Sequence, residues 1–258
     1  MNPTHWAIVL SVGLFVGIVA CLEIGYRIGR HTSEKHPESA YEGVGVIEAA
    51  VFALLGLLLG FSFAGGTSRL DTKRQLIVEE ANAIGTAYLR LDVLPVNEQS
   101  EMRRLFREYL DARLRVYDKL PDLQAADQEL AHAGEIQQAI WSRAVTASRN
   151  DPTQNVARLL LPAVNQMIDI TTARSIAMHT QLPLLIFVLL SGVALVSGLL
   201  AGYAMAKRGS RSWLHMILYA AVIAVTIYAV LDLEYPRFGL IRLNAADKAL
   251  LQLRDSIR

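Results

Sequence analysis

Glu48 is the one ionisable residue in an otherwise uncharged run from Val44 to Ala64. An ionised side chain within hydrocarbon is costly, so a carboxylate there marks a cavity, a polar partner or an ion path. On a helix, Glu48 shares a stripe with Phe52, Leu55, Leu59, Ser62 and Phe63. Such a stripe could line a pore, with a charge near one mouth and a narrow apolar neck that gates by dewetting. A plainer reading puts Glu48 in water at the interface and turns the phenylalanines to lipid or to a packed core. The residues alone leave both open. Beside this stripe Ala49, Ala53, Gly56, Gly60 and Ala64 recur at steps of four and three. Small residues in register let another helix backbone come close. Gly13/Gly17 and Gly198/Gly202, the latter extended by Ala194, offer further close-packing pairs.

A second group of charges flanks apolar runs. Asp232 and Glu234 end the last of them, and Arg69, Arg74 and Arg237 are candidate partners at the membrane boundary. Glu23 stands near Arg27 and Arg30 and is expected to pair or to sit at the interface. Enzyme chemistry finds no support. There is no Ser/His/Asp spacing, Gly-rich phosphate loop or HExxH, and the six histidines show no ligand spacing on one helix face. His31 and His36 read as solvated loop residues. No catalytic residue, metal or cofactor is therefore expected. The net charge of +1 argues against a nucleic-acid partner. The single cysteine, Cys21, excludes an internal disulfide.

The elements that must position these residues follow from where charge is missing. A bilayer core needs about 20 helical residues to cross it, and a backbone in lipid must satisfy its own hydrogen bonds. Four runs qualify, at about 6–26, 44–64, 182–206 and 213–233. The predicted fold is all-α, with four transmembrane helices and a large water-facing helical insert over 65–181. Segment 1–64 forms the first transmembrane hairpin, 182–234 the second, and 235–258 a C-terminal segment. Ile18-Val19-Ala20-Cys21 resembles a lipoprotein cleavage box, but no Lys or Arg precedes the apolar run, so the first span is expected to stay. With four spans both termini share a side with the insert. Lys and Arg near the spans are more numerous there, which places that side in the cytoplasm. The short loops, 31–43 and 207–212, face the other way.

Within the insert Leu70, Ile77, Ile84 and Leu91 recur every seven residues, with Ala81 and Tyr88 beside them. That is a buried helical stripe. Pro95 ends it, although Gly65-Gly66 could kink the rod earlier. Asn97 is placed to cap a second helix that stops near Pro121, and a third covers about 122–149. Asn150-Asp151-Pro152 starts a fourth, which could run straight into the third span.

Two segments carry a family resemblance. The first comprises Phe61-Ser62-Phe63, Ser68-Arg69-Leu70-Asp71 and the run from Val78-Glu79-Glu80-Ala81-Asn82-Ala83 through Leu91-Asp92. The second is Asp232-Leu233-Glu234-Tyr235-Pro236-Arg237-Phe238-Gly239. Together they resemble the signatures of a bacterial family called bestrophin-like. A more distant likeness to bestrophins proper implies an oligomeric ion channel of the inner membrane, pentameric by analogy, whose pore is lined mainly by the second span. The acidic calcium clasp of animal bestrophins has no evident counterpart. The likeness implies small, chloride-like anions, whereas Glu48 on the axis would favour monovalent cations. The expected partners are lipid, further copies of the chain and small inorganic ions. The alternative function is a non-conducting scaffold or sensor whose charged insert helices, such as Arg103 to Lys119, bind a partner.

Overall fold

The computed structural model describes residues 3–35, 44–120, 122–206, 212–237, 239–241 and 243–257. Among these every regular element is helical: α1 (Pro3–Lys35), α2 (Val44–Leu89), α3 (Val96–Asp118), α4 (Leu123–Arg149), α5 (Leu161–His179), α6 (Leu184–Ala206), α7 (Trp213–Glu234) and α8 (Asn244–Ser256). A short 3₁₀ turn, Arg90–Val93, follows α2, and a π-helical turn, Val156–Leu160, precedes α5. Among the described residues four helices are long and apolar enough to cross a bilayer: α1, the first part of α2, α6 and α7. The chain is a membrane protein. The loops expected over 31–43 and 207–212 fall largely outside the described residues, so Lys207, Arg208 and Arg211 are not placed.

The chain forms two units. The first joins residues 1–69 to 181–241. Its core is made by Ile18 and Leu22 of α1, Phe187 and Ala194 of α6, and Met216, Ala220 and Ile227 of α7. Helices α1 and α6 pack most closely. A Cβ on Gly202 would overlap the Leu22 carbonyl, and one on Gly25 would overlap the Leu199 carbonyl. The two glycines let the backbones touch, which in lipid supplies the packing that hydrophobic burial cannot. The expected pairing is thus half realised. Gly198 and Gly202 lie in the contact, but Gly13 has open space beside it, and Gly25 takes the opposing role. Tyr219 OH lies 2.7 Å from Ser197 Oγ, which itself donates to Ala194 O, so α6 and α7 share a hydroxyl pair. The outer surface is apolar: Leu185 is 75% and Leu214 74% exposed. Lipid, not water, is the solvent such a surface suits.

The second unit joins residues 70–180 to 242–258. The seven-residue stripe is its spine, since Leu70, Ile77, Ile84 and Leu91 are all at most 4% exposed. Phe106 and Leu110 of α3, Ile140 of α4 and Val164 and Met167 of α5 are buried in the same unit, and Phe106 meets Tyr88 edge to face. Gly65-Gly66 does not interrupt α2. Helix α3 starts at Val96, directly after Pro95, so Asn97 is not its cap. Proline already holds the backbone where the helix must begin. Asp122 caps α4 by accepting from Ala125 N. Asp151 accepts from Thr153 and Val156 N and turns the chain into the π-helical segment. The fourth insert helix does not run into the third span. Thr180 is extended, and α6 begins after Pro183. Leu253 of α8 lies against Gly85, and Arg254 pairs with Asp111 at 2.9 Å.

Candidate ion pathway and membrane-boundary charges

Helix α2 is the least covered of the four candidate spans, with 11% of its most apolar window buried against 28–33% for the others. What cover it has falls on one arc. Leu55 and Ser62 are buried, Leu55 within the core of α1, α6 and α7. Phe52 meets Tyr219 edge to face with ring centroids 6.0 Å apart. Glu48 and Leu59 are half-buried on the same side, and Leu59 packs against that core. Phe63, at the edge of the arc, is exposed. The predicted stripe is therefore brought together, largely turned toward the rest of its own unit. The neighbouring row is bare: Ala49, Ala53, Gly56, Gly60 and Ala64 are all exposed. A Cβ on Gly56 or Gly60 would meet nothing within 4 Å.

The boundary charges converge differently. Glu234 side-chain atoms are 1% exposed, and Arg69 reaches them with Nη2 at 2.5 Å and Nε at 3.1 Å from Oε1. The other oxygen, Oε2, accepts Leu182 N–H at 3.1 Å. Glu234 so ties α2, the start of α6 and the end of α7 together. A carboxylate buried this deeply is stable only when paired and fully bonded. Asp232 pairs with neither Arg69 nor Arg74. Its Oδ1 accepts Leu240 N–H at 3.0 Å and its Oδ2 accepts Ile241 N–H at 2.8 Å. Gly239 is required for this return, because a Cβ there would collide with Asp232 Oδ1. Arg74 pairs with Asp71, one turn away on an exposed face, and joins neither acid. Arg237 is half-buried. Glu23 accepts from Arg27 Nε at 2.8 Å, as expected.

A buried charge cluster in the second unit was not singled out from the sequence. Glu80 is 0% exposed and accepts from Arg113 Nε at 2.7 Å and from Arg174 Nη1. Burial pushes the Glu80 carboxyl up, while Arg113 pulls it down. Burial also opposes the charge of Arg113, but the attraction of Glu80 and Tyr109 outweighs it and raises the guanidinium. We read the group as ionised, since two guanidinium groups converge on one carboxylate. The signal was present in the register. Glu80 lies three residues after Ile77 and four before Ile84, on the buried stripe, where an acid needs a buried partner. Arg113 and Arg174 come from helices far away in sequence, and nothing local marks them.

No curated protein and no solved structure matches the chain. A family model described as the bestrophin-like domain matches residues 18–246, taking in the later part of the first span, the other three spans and both signature segments. Arg69 and Gly66 belong to or border the first signature, and Glu234 and Leu233 to the second; Arg69 meets Glu234, and Gly66 lies against Leu233. The chain belongs to the bestrophin-like family.

Proposed function

We propose that this chain is the subunit of a homo-oligomeric ion channel that passes small monovalent ions, with anions favoured by the family likeness. The observation that carries the reading is the bare arc of α2, where Gly56 and Gly60 have open space beside a row of alanines. Lipid tails fill such a surface poorly, and small-residue rows are where membrane helices meet. Repetition about an axis would set these rows against one another around a central pathway. Leu55 and Ser62 are already covered by their own protomer. In this proposal they support the wall from behind, while the Ala49–Ala64 row and Phe63 face neighbours or the lumen. Glu48 and Phe52 lie at the border between the two faces. The polar second unit would sit in the cytoplasm with both termini. Subunit number, five by analogy, is part of the proposal.

The scaffold alternative draws less support. Arg103, Arg104 and Arg115, which would form a docking face, each engage a carboxylate of this chain. The test is reconstitution of the full chain into planar bilayers. The expected result is ionic current in symmetric salt. Replacing Cys21 by serine removes the only thiol. In that background Ala53→Cys should let a charged thiol reagent reduce the current several-fold, and Leu54→Cys should not. Absence of current across salts and pH would overturn the proposal, as would equal reagent sensitivity at both positions.

A further inference from the structure

Helices α3, α4 and α5 line an open cleft of about 330 Å³ in the second unit. Tyr109, Arg113, Gln137, Thr171, Thr172 and Ser175 give its lining polar groups. Leu130, Ala133 and the exposed Ile176 give the same lining an apolar part. None of the ten lining residues is acidic. Arg113 is 5% exposed, and its Nε is committed to Glu80. Its two terminal nitrogens have no hydrogen-bond partner among the described residues, and the side chain lines the cleft. The one carboxylate that faces Arg113 is engaged on its other oxygen by Arg174. A guanidinium with a free fork in a low-dielectric recess is the donor geometry that an oxyanion completes.

The rest of the polar lining fits a head group of that kind. Tyr109 OH lies 3.0 Å from Thr171 Oγ1, and Thr171 Oγ1 already donates to Met167 O. The phenolic proton is thus spent on Thr171, which leaves Gln137 Oε1, 3.5 Å away, only weakly held. Gln137 can then turn its amide N–H toward an acceptor. The hollow on the α2–α5 side of the same unit is unlike this one, since Glu79 and Asp169 line it.

We propose that the α3–α4–α5 cleft binds a small organic carboxylate, with its head group on the Arg113 fork and Gln137 and its short apolar body against Leu130, Ala133 and Ile176. The volume far exceeds what one water or one halide fills, and the apolar lining residues offer a bare inorganic ion no bond. The inference is independent of whether the chain conducts.

The test uses the full chain in detergent, titrated calorimetrically with sodium butyrate at constant ionic strength. The expected result is saturable binding at one site per chain. Gly134 lines the cleft, and a Cβ there meets nothing within 4 Å, so Gly134→Leu should fill the space without disturbing the core. That variant should abolish binding, and Gln137→Leu should weaken it roughly tenfold, the worth of one good polar contact. Neither should melt below the parent, and Gly134→Leu should gain slightly from its better helix propensity. Arg113→Gln is the direct variant, but it also strips a partner from Glu80, so the two wall variants carry the decision. No saturable butyrate binding, or binding unchanged in both wall variants, would overturn the proposal. So would inorganic phosphate or chloride binding as tightly as butyrate, because the apolar lining would then play no part.

Discussion

Tyr109 is 0% exposed and lines the cleft beside Arg113 of the Glu80 charge cluster. Burial pushes its phenol up to about 12, with Glu80 adding to the rise and Arg113 and Thr171 opposing it. The folded chain therefore holds this proton more tightly than the unfolded chain, whose tyrosines titrate near 10. Below pH 10 the contribution is complete. As pH rises from 10 toward 12 the unfolded state releases the proton first, and stability falls by about 2–3 kcal/mol. Tyr109→Phe should lack this fall. Chemical denaturation of parent and variant at pH 9 and at pH 11.5 gives the comparison, and equal losses would mean that the phenol is not buried as described. At the same scale, Asp232 and Gly239 show how a signature maps to geometry. The acid closes a return of the chain, and the glycine leaves room for it.

At the scale of elements, the α1–α6 contact rests on backbone meeting backbone. A side chain at Gly202 has no space, since the Leu22 carbonyl lies where its Cβ would go. Gly202→Leu must separate the two helices and lose the dispersion along their length. The expected cost is about 2–4 kcal/mol, in the range of severe overpacking with loss of contacts. Gly13→Ala, at a helical glycine with nothing within 4 Å, should cost nothing and can gain up to about 1 kcal/mol from helix propensity. Resistance to denaturant in micelles separates the two. Comparable losses at both glycines would remove the argument for close approach. Helix α2 behaves differently, because its first part has so little cover within the chain.

For the whole molecule, the composition of its outer surface decides where it can exist. In the first unit leucines and valines of α6 and α7 stand open, while the second unit carries ion pairs such as Arg104 with Glu101 and Glu108, and Arg115 with Glu129. The chain is expected in the membrane pellet, to resist alkaline carbonate extraction and to enter solution with detergent. Recovery in the carbonate supernatant would contradict four embedded helices.

The four spans, the buried stripe of α2 and the stop at Pro95 were legible in the sequence because each is a local property. Charge-free length, seven-residue recurrence and proline geometry are written in neighbouring residues. The same is true of Glu48 and the small-residue row as features of one helix. Which arc of α2 is covered was not legible, because Tyr219 and the α1–α6–α7 core come from distant segments. Nor was the choice of partners. Arg69 takes Glu234 while Arg74 stays with Asp71, and Glu80 gathers Arg113 and Arg174 from two other helices. A long charged side chain reads the same in sequence whether it meets water or a buried acid. Only the packing of remote helices fixes which groups lose water and must therefore find each other.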